Sequence, residues 1–241
     1  MPLCSRAGWR YHARMLPAFL SPIYILAILT AVTVHEWAHA YAAKRLGDRT
    51  AEFAGRLTLN PLAHIDPLGA LLFITVGFGW AKPVPVDPRY LAHPSRDNAL
   101  IALAGPLSNL FLGFLAYIGL VAIFAASPHS SVELLSGGGD GPLAIRFASQ
   151  FLHTSLFANL ALMAFNFLPL PPLDGSKILE PFIPWEYRRH YEEFLQRGPL
   201  LLFLLIIGES FLPFPIISAW VHGIVTLVLN VFFRIAGGLF L

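Results

Sequence analysis

Charge is the resource this sequence has least of. Only 12% of its 241 residues are Asp, Glu, Lys or Arg, while 56% are hydrophobic. A soluble domain carries about 25% charged residues, so a water-facing surface of ordinary polarity is excluded. Long apolar runs account for the deficit, and the chain reads as an integral membrane protein in a lipid bilayer. The single cysteine, Cys4, excludes an internal disulfide. The net charge is only +2 and the basic residues are scattered, which leaves no footprint for nucleic acid. No stretch is long and polar enough for an added soluble domain, and no internal repeat is visible. Residues 1–241 are expected to form one membrane-embedded domain. Arg6, Arg10 and Arg14 precede an apolar run in the manner of a signal peptide. Cleavage is not expected, because that run continues into the residues with the strongest chemical signal.

The expected fold class is all-α: a polytopic bundle of about five to six transmembrane or re-entrant helices, with a small β-like insertion after the first. The first helix is expected over residues 16–46, stopped by Gly47. Residues 50–67 read as polar and extended. Residues 68–80 are apolar, but at about 1.5 Å per residue they are too short to cross a core about 30 Å thick; a re-entrant segment is expected. Residues 81–86 alternate with Pro83 and Pro85 and suit an edge strand. Spanning helices are expected at 98–126 and 143–168, with a Gly-rich loop at 127–142 between them. Residues 174–198 are expected to lie along the membrane surface. A hairpin of residues 199–211 and 216–233 turns at Pro213 and Pro215.

Orientation follows the basic residues. Lys44, Arg45, Arg49, Arg56, Lys82, Arg89 and Arg96 fall in one stretch, and Lys177, Arg188, Arg189 and Arg197 in another, whereas residues 127–142 hold none. The first two stretches are expected on the cytoplasmic side. That places the three N-terminal arginines outside, against the same rule.

His35-Glu36-Trp37-Ala38-His39 is an HExxH pattern. Residues four apart share a helix face, so both imidazoles point one way and suit one Zn²⁺. Glu36 is then near enough to take a proton from water activated by the metal. Two histidines in a polar contact would give the same spacing. Their setting after Ala31-Val32-Thr33-Val34 argues for a metal, since charged side chains in an apolar helix cost roughly 2.5–3.5 kcal/mol each. A catalytic zinc usually takes three protein ligands. Asp174 is the candidate third, on a segment that Pro169, Pro171 and Pro172 keep out of helix; the alternative is that Asp174 caps a helix starting at Gly175. His64 with Asp66 is the reserve pair.

Ser155, Asn159 and Asn166 form a polar stripe on the fourth helix. Asn166 could donate to the oxyanion of a tetrahedral intermediate, while Asn159 suits an interhelical hydrogen bond. Gly105, Asn109 and Gly113, four apart, mark a packing seam against the helix of the histidines. His153 and His222 lie in or near apolar segments, and Glu209 sits beside the Pro213/Pro215 turn, where an interfacial position explains it.

HEWAHA, AGPLSN and NFLPLPPLDG occur in this order in separate apolar segments. Together with GRLTLNP, HIDP and GFGWAKPVPV they resemble the site-2 protease family of intramembrane zinc metalloproteases, over residues 20–240, and in particular its short bacterial branch. The resemblance implies one zinc per chain held by His35, His39 and Asp174, Glu36 as catalytic base, Asn166 as a transition-state helper, and membrane-protein substrates. It also implies a multi-pass protein of the cytoplasmic membrane with its active site nearer the cytoplasm, without PDZ or CBS domains. A metal transporter, or a metal-binding protein without peptidase activity, is the alternative. A transporter tends to show repeated halves, and neither alternative has an obvious use for Glu36. A substrate helix must be locally extended to be cut, and residues 82–86 are the candidate strand to receive it.

Overall fold

The computed structural model describes residues 21–77, 79–126, 142–209, 211 and 215–239. The N-terminal arginines, Cys4, the Gly-rich loop at 127–141 and Pro213 lie outside these residues. Helix α1 is Pro22–Arg45, opened by Pro22 and closed with Lys44 and Arg45 in its last turn. Both ends follow from chemistry: proline fits the first helical position, where no N–H is needed, and cations oppose the partial negative charge of a C-terminus.

The insertion that follows is built from turns and short helices. Asp48, wholly buried, accepts from the N–H of Thr50 and, across the insertion, from the N–H of Asp87, each at 2.8 Å. A four-residue helix, α2 (Thr50–Phe53), carries Glu52, whose carboxylate receives Arg49 and Lys44. Those two bonds hold the Glu52 carboxyl below the usual carboxylate range. Helix α3 (Pro67–Val76) begins at Asp66, whose side chain accepts from the N–H of Gly69, and ends at Gly77. Its ten residues reach about 15 Å. Ile65 and Ala81, just outside its two ends, form an antiparallel bridge. The two ends of the segment are therefore held beside each other.

The β-like insertion does not form a sheet: among the described residues that bridge is isolated. Pro83 and Pro85 have no N–H to give a ladder. The guanidinium of Arg56 also takes the carbonyls of Lys82 and Pro83. No hydrogen bond among the described residues uses the N–H of Val84 or Val86.

Helix α4 (Pro94–Ala126) starts four residues earlier than expected. Helix α5 is Leu143–Asn166, and α6 is the short Asp174–Leu179. Helix α7 (Arg188–Glu209) corrects the expectation that residues 174–198 form a surface stretch and that a new segment begins at Pro199. The helix runs through Pro199, which removes one backbone bond while the intact turns on either side carry the helix past it. Helix α8 (Ile216–Leu239) extends beyond residue 233, and Glu209 accepts from the N–H of Ser218 at its start.

Helices α1, α4 and α5 pack against one another, and α8 lies on α5. Ala116, Tyr117 and Leu120 of α4 meet Leu156, Leu160, Met163 and Ala164 of α5, with Val225 and Phe232 of α8. The opposite faces are apolar and exposed, with Leu107, Phe111 and Leu115 on α4 and Leu227, Phe233 and Ile235 on α8. That is the surface a bilayer covers. Helices α1, α4 and residues Ile216–Ile235 of α8 are long and apolar enough to cross a membrane.

Removing the Asp48 carboxylate leaves the part-buried N–H groups of Thr50 and Asp87 without this partner. Asp48→Ala is expected to destabilise the protein by about 1–3 kcal/mol, with Asp48→Asn milder because one acceptor remains. Thermal unfolding in detergent checks this; an unchanged midpoint in Asp48→Ala would show that neither bond ties the insertion down.

Candidate metal centre

His35 and His39 sit one turn apart on the buried face of α1, 4% and 8% exposed. Asp174 is the first residue of α6, 6% exposed, and its side chain caps nothing. The helix-cap alternative is thereby removed. Nε2 of His35 lies 3.0 Å from Nε2 of His39, and Oδ2 of Asp174 lies 3.2 Å from each.

The other ring nitrogens fix which atoms face inward. Nδ1 of His39 donates to the carbonyl of Ile101 at 2.7 Å, an acceptor that cannot exchange roles. Nδ1 of His35 donates to Oδ1 of Asn109 at 2.6 Å, the amide nitrogen of Asn109 being committed elsewhere. In the neutral imidazoles both Nε2 atoms therefore present bare lone pairs. Oδ2 of Asp174 is buried with no hydrogen-bond partner. Three lone-pair atoms thus converge in a buried place, where a cation among them would offset their repulsion. A proton joins two such atoms in a line; a metal serves all three. Donors about 2.0–2.2 Å from a tetrahedral zinc stand about 3.3 Å apart, close to the separations found here. The residues fit zinc.

The surrounding chain is shaped to this site. A Cβ on Gly105 of α4 would fall 2.5 Å from the His39 ring and 2.7 Å from that of His35, so glycine lets α4 lie directly over the imidazoles. A Cβ on Gly175 would fall 2.4 Å from the carbonyl oxygen of Leu168; its absence lets Asp174 tuck under the end of α5. Glu36 is half-buried, and its carboxylate has no hydrogen bond or ion pair among the described residues.

The structure brings His35, His39 and Asp174 together. Asn166 ends α5 and donates to the carbonyl of Leu162 in its own helix at 3.0 Å. Its second amide hydrogen has no partner among the described residues. The reserve pair is spoken for: His64 donates to the carbonyl of Thr58 and meets Arg56, while Asp66 caps α3. Asn159 makes the interhelical bond expected of it. Two contributors were missed. The Ile101 carbonyl carries no sequence signal. Asn109 had one, its spacing from Gly105, which points to a seam with a hydrogen bond across it but not to His35 as the partner.

Among the described residues the fold offers three helices long and apolar enough to cross a membrane, and the site a His-His-Asp group able to hold a metal ion. The model of peptidase family M50 matches residues 23–206. The chain is 36% identical over 218 residues to the "Putative zinc metalloprotease YwhC" of Bacillus subtilis, covering 90% of this chain and 95% of that one. It is 32% identical over 197 residues to the "Putative zinc metalloprotease Rip2" of Mycolicibacterium smegmatis, covering 78% and 69%. An archaeal relative, the "Putative zinc metalloprotease MJ0611" of Methanocaldococcus jannaschii, is 33% identical over 165 residues, covering 67% and 72%. No solved structure matches. The chain belongs to peptidase family M50, the site-2 protease family of zinc metalloproteases. Membership favours a peptidase over the metal-transport alternative.

If Gly105 is required for α4 to lie over the rings, Gly105→Ala should lower zinc affinity by on the order of tenfold or more. Chelator competition on the purified protein measures it. Parental affinity would show that α4 can move aside without disturbing the site.

Proposed function

We propose that this chain hydrolyses peptide bonds of membrane-protein substrates within the bilayer, with His35, His39 and Asp174 holding the zinc and Glu36 as general base. The observation that carries this is the convergence of two imidazole lone pairs and one orphaned carboxylate oxygen in a buried place. Bound zinc supplies Lewis-acid chemistry, polarising a carbonyl and acidifying water.

The protein's own groups do the rest. The Glu36 carboxylate, free of other partners, accepts the proton of the attacking water and delivers it to the departing amine. Asn166 turns its second amide hydrogen towards the carbonyl oxygen as negative charge grows there. The N–H groups of Val84 and Val86 offer hydrogen bonds to a locally extended substrate segment, which otherwise brings unpaired backbone into an apolar region. The site is assigned to the cytoplasmic side of the cytoplasmic membrane. His39 lies six residues, or about 9 Å, from Arg45 and the basic stretch that follows.

Glu36→Gln is expected to retain zinc and lose cleavage by about 10²–10⁴-fold, checked by pairing metal content with a purified-substrate assay. Cleavage at the parental rate would sink the assigned base. Asn166→Ala should leave zinc untouched and lower kcat about 10²-fold. Asp174→Ala leaves two protein ligands; zinc binding should weaken sharply and activity disappear. Normal zinc stoichiometry and affinity in Asp174→Ala would mean that another residue holds the metal.

A further inference from the structure

The two histidines are oriented by different means. The His39 ring is held by a backbone carbonyl, that of Ile101. The His35 ring is held by a side-chain amide, which must itself be oriented. Asn109 is wholly buried and uses every hydrogen-bonding group of its amide. Its Oδ1 accepts from His35 at 2.6 Å, and its Nδ2 donates to the Ala31 carbonyl at 3.1 Å and to Oδ1 of Asn159 at 2.9 Å. Turned over, the Asn109 amide would set its oxygen against two other oxygens. Asn159, 2% exposed, is fixed in turn: its Nδ2 donates to the Ser155 carbonyl at 2.8 Å, a backbone acceptor that cannot invert. A fixed polarity therefore runs from the backbone of α5, through two amides, to Nδ1 of His35. One turn further along α4, Gly113 lies against Leu160, where an added Cβ would come within 3.0 Å. That close approach keeps the two helices near enough for the amides to meet.

We infer that Asn159, which touches neither the metal donors nor any reacting group, is a positioning residue: acting through Asn109, it sets the orientation and tautomer of His35 and so the zinc affinity. The inference rests on His35 being a zinc ligand. Outer groups that orient ligating histidines typically matter by 10–100-fold in metal affinity. Here the Ala31 carbonyl still holds part of Asn109 when Asn159 is lost, so the lower end of that range applies. Removing Asn159 also leaves one N–H of Asn109 buried without a partner, which favours turning of the amide.

The test uses the full chain purified in detergent, with zinc affinity read by chelator competition and ligand geometry by the visible absorption of the cobalt-substituted protein. Asn159→Leu is expected to weaken zinc about tenfold and alter the cobalt bands. Asn159→Asp should bind zinc nearly as the parent does, since a carboxyl oxygen still accepts from Asn109. Asn109→Ala should weaken zinc, and adding Asn159→Leu to it should cause no further loss. Should Asn159→Leu not fold, Asn159→Ser carries the same comparison, its hydroxyl being too short to reach Asn109. Parental affinity and cobalt spectrum in Asn159→Leu, or losses that simply sum in the double variant, would overturn the inference. His35→Ala separates the two levels. If it binds zinc like the parent, the metal assignment itself falls; if it loses zinc while Asn159→Leu does not, only the role of Asn159 falls.

Discussion

Three atoms that repel one another are held 3.0–3.2 Å apart in a buried place. Nothing in a polypeptide brings bare lone pairs together for their own sake, and two neutral imidazoles with a carboxylate supply no proton to spare once both Nδ1 hydrogens are committed to Ile101 and Asn109. The arrangement has a rationale only with a cation at its centre. The surrounding packing serves that constraint. Helix α4 is denied a side chain at position 105 so that it can lie over the rings. The acceptors that keep the ring protons pointing away from the metal come from the same helix.

The same rule governs the polar insertion between α1 and α4. In and beside a bilayer an unpaired polar group costs several kcal/mol, and several side chains here are tied to particular partners. Asp48 joins the start of the insertion to its end; Arg56 closes over the carbonyls of residues 82 and 83; His64 spans Thr58 and Arg56. Side chains thus do the work that a ladder would do in a sheet. Among the described residues the N–H groups of Val84 and Val86 are left without hydrogen-bond partners.

The grouping of His35, His39 and Asp174 was legible because its signals are local or punctuated by proline. The HExxH spacing puts two imidazoles on one face whatever the tertiary fold, and the prolines at 169, 171 and 172 announce a break in helix before Asp174. The short apolar helix at Pro67–Val76 was legible from the length of its run. The insertion was not, because alternating prolines read equally as edge strand and as coil, and an arginine some 27 residues away decides between them. The passage of α7 through Pro199 was hidden for a related reason: a proline signals a missing bond, and only packing tells whether its neighbours outweigh it. The Ile101 carbonyl was invisible in principle, since every residue has one. Asn109 read as a seam residue, and it is one, but its partner across the seam is the His35 ring.

The third donor differs from the first two in how it arrives. His35 and His39 are brought together by α1 alone, as soon as that helix forms. Asp174 reaches them only through tertiary structure. Gly175 must press on the carbonyls of Phe167 and Leu168, and Pro171 must meet Gly198 of α7. The Tyr191 hydroxyl of α7 must bond the carbonyl of Ser176. On the other side Asn98 of α4 donates to Glu180, just past α6, at 3.1 Å. The carboxylate therefore stands where α4, α5 and α7 jointly put it. A metal that binds all three donors stabilises that assembly over any looser one, because ligand affinity for the native state adds to its stability. The continuity of α7 through Pro199 acquires a purpose in this light: the polar half of the helix carries Tyr191, position 198 begins its apolar half, and an unbroken helix lets both grip the Asp174 segment as one rigid piece.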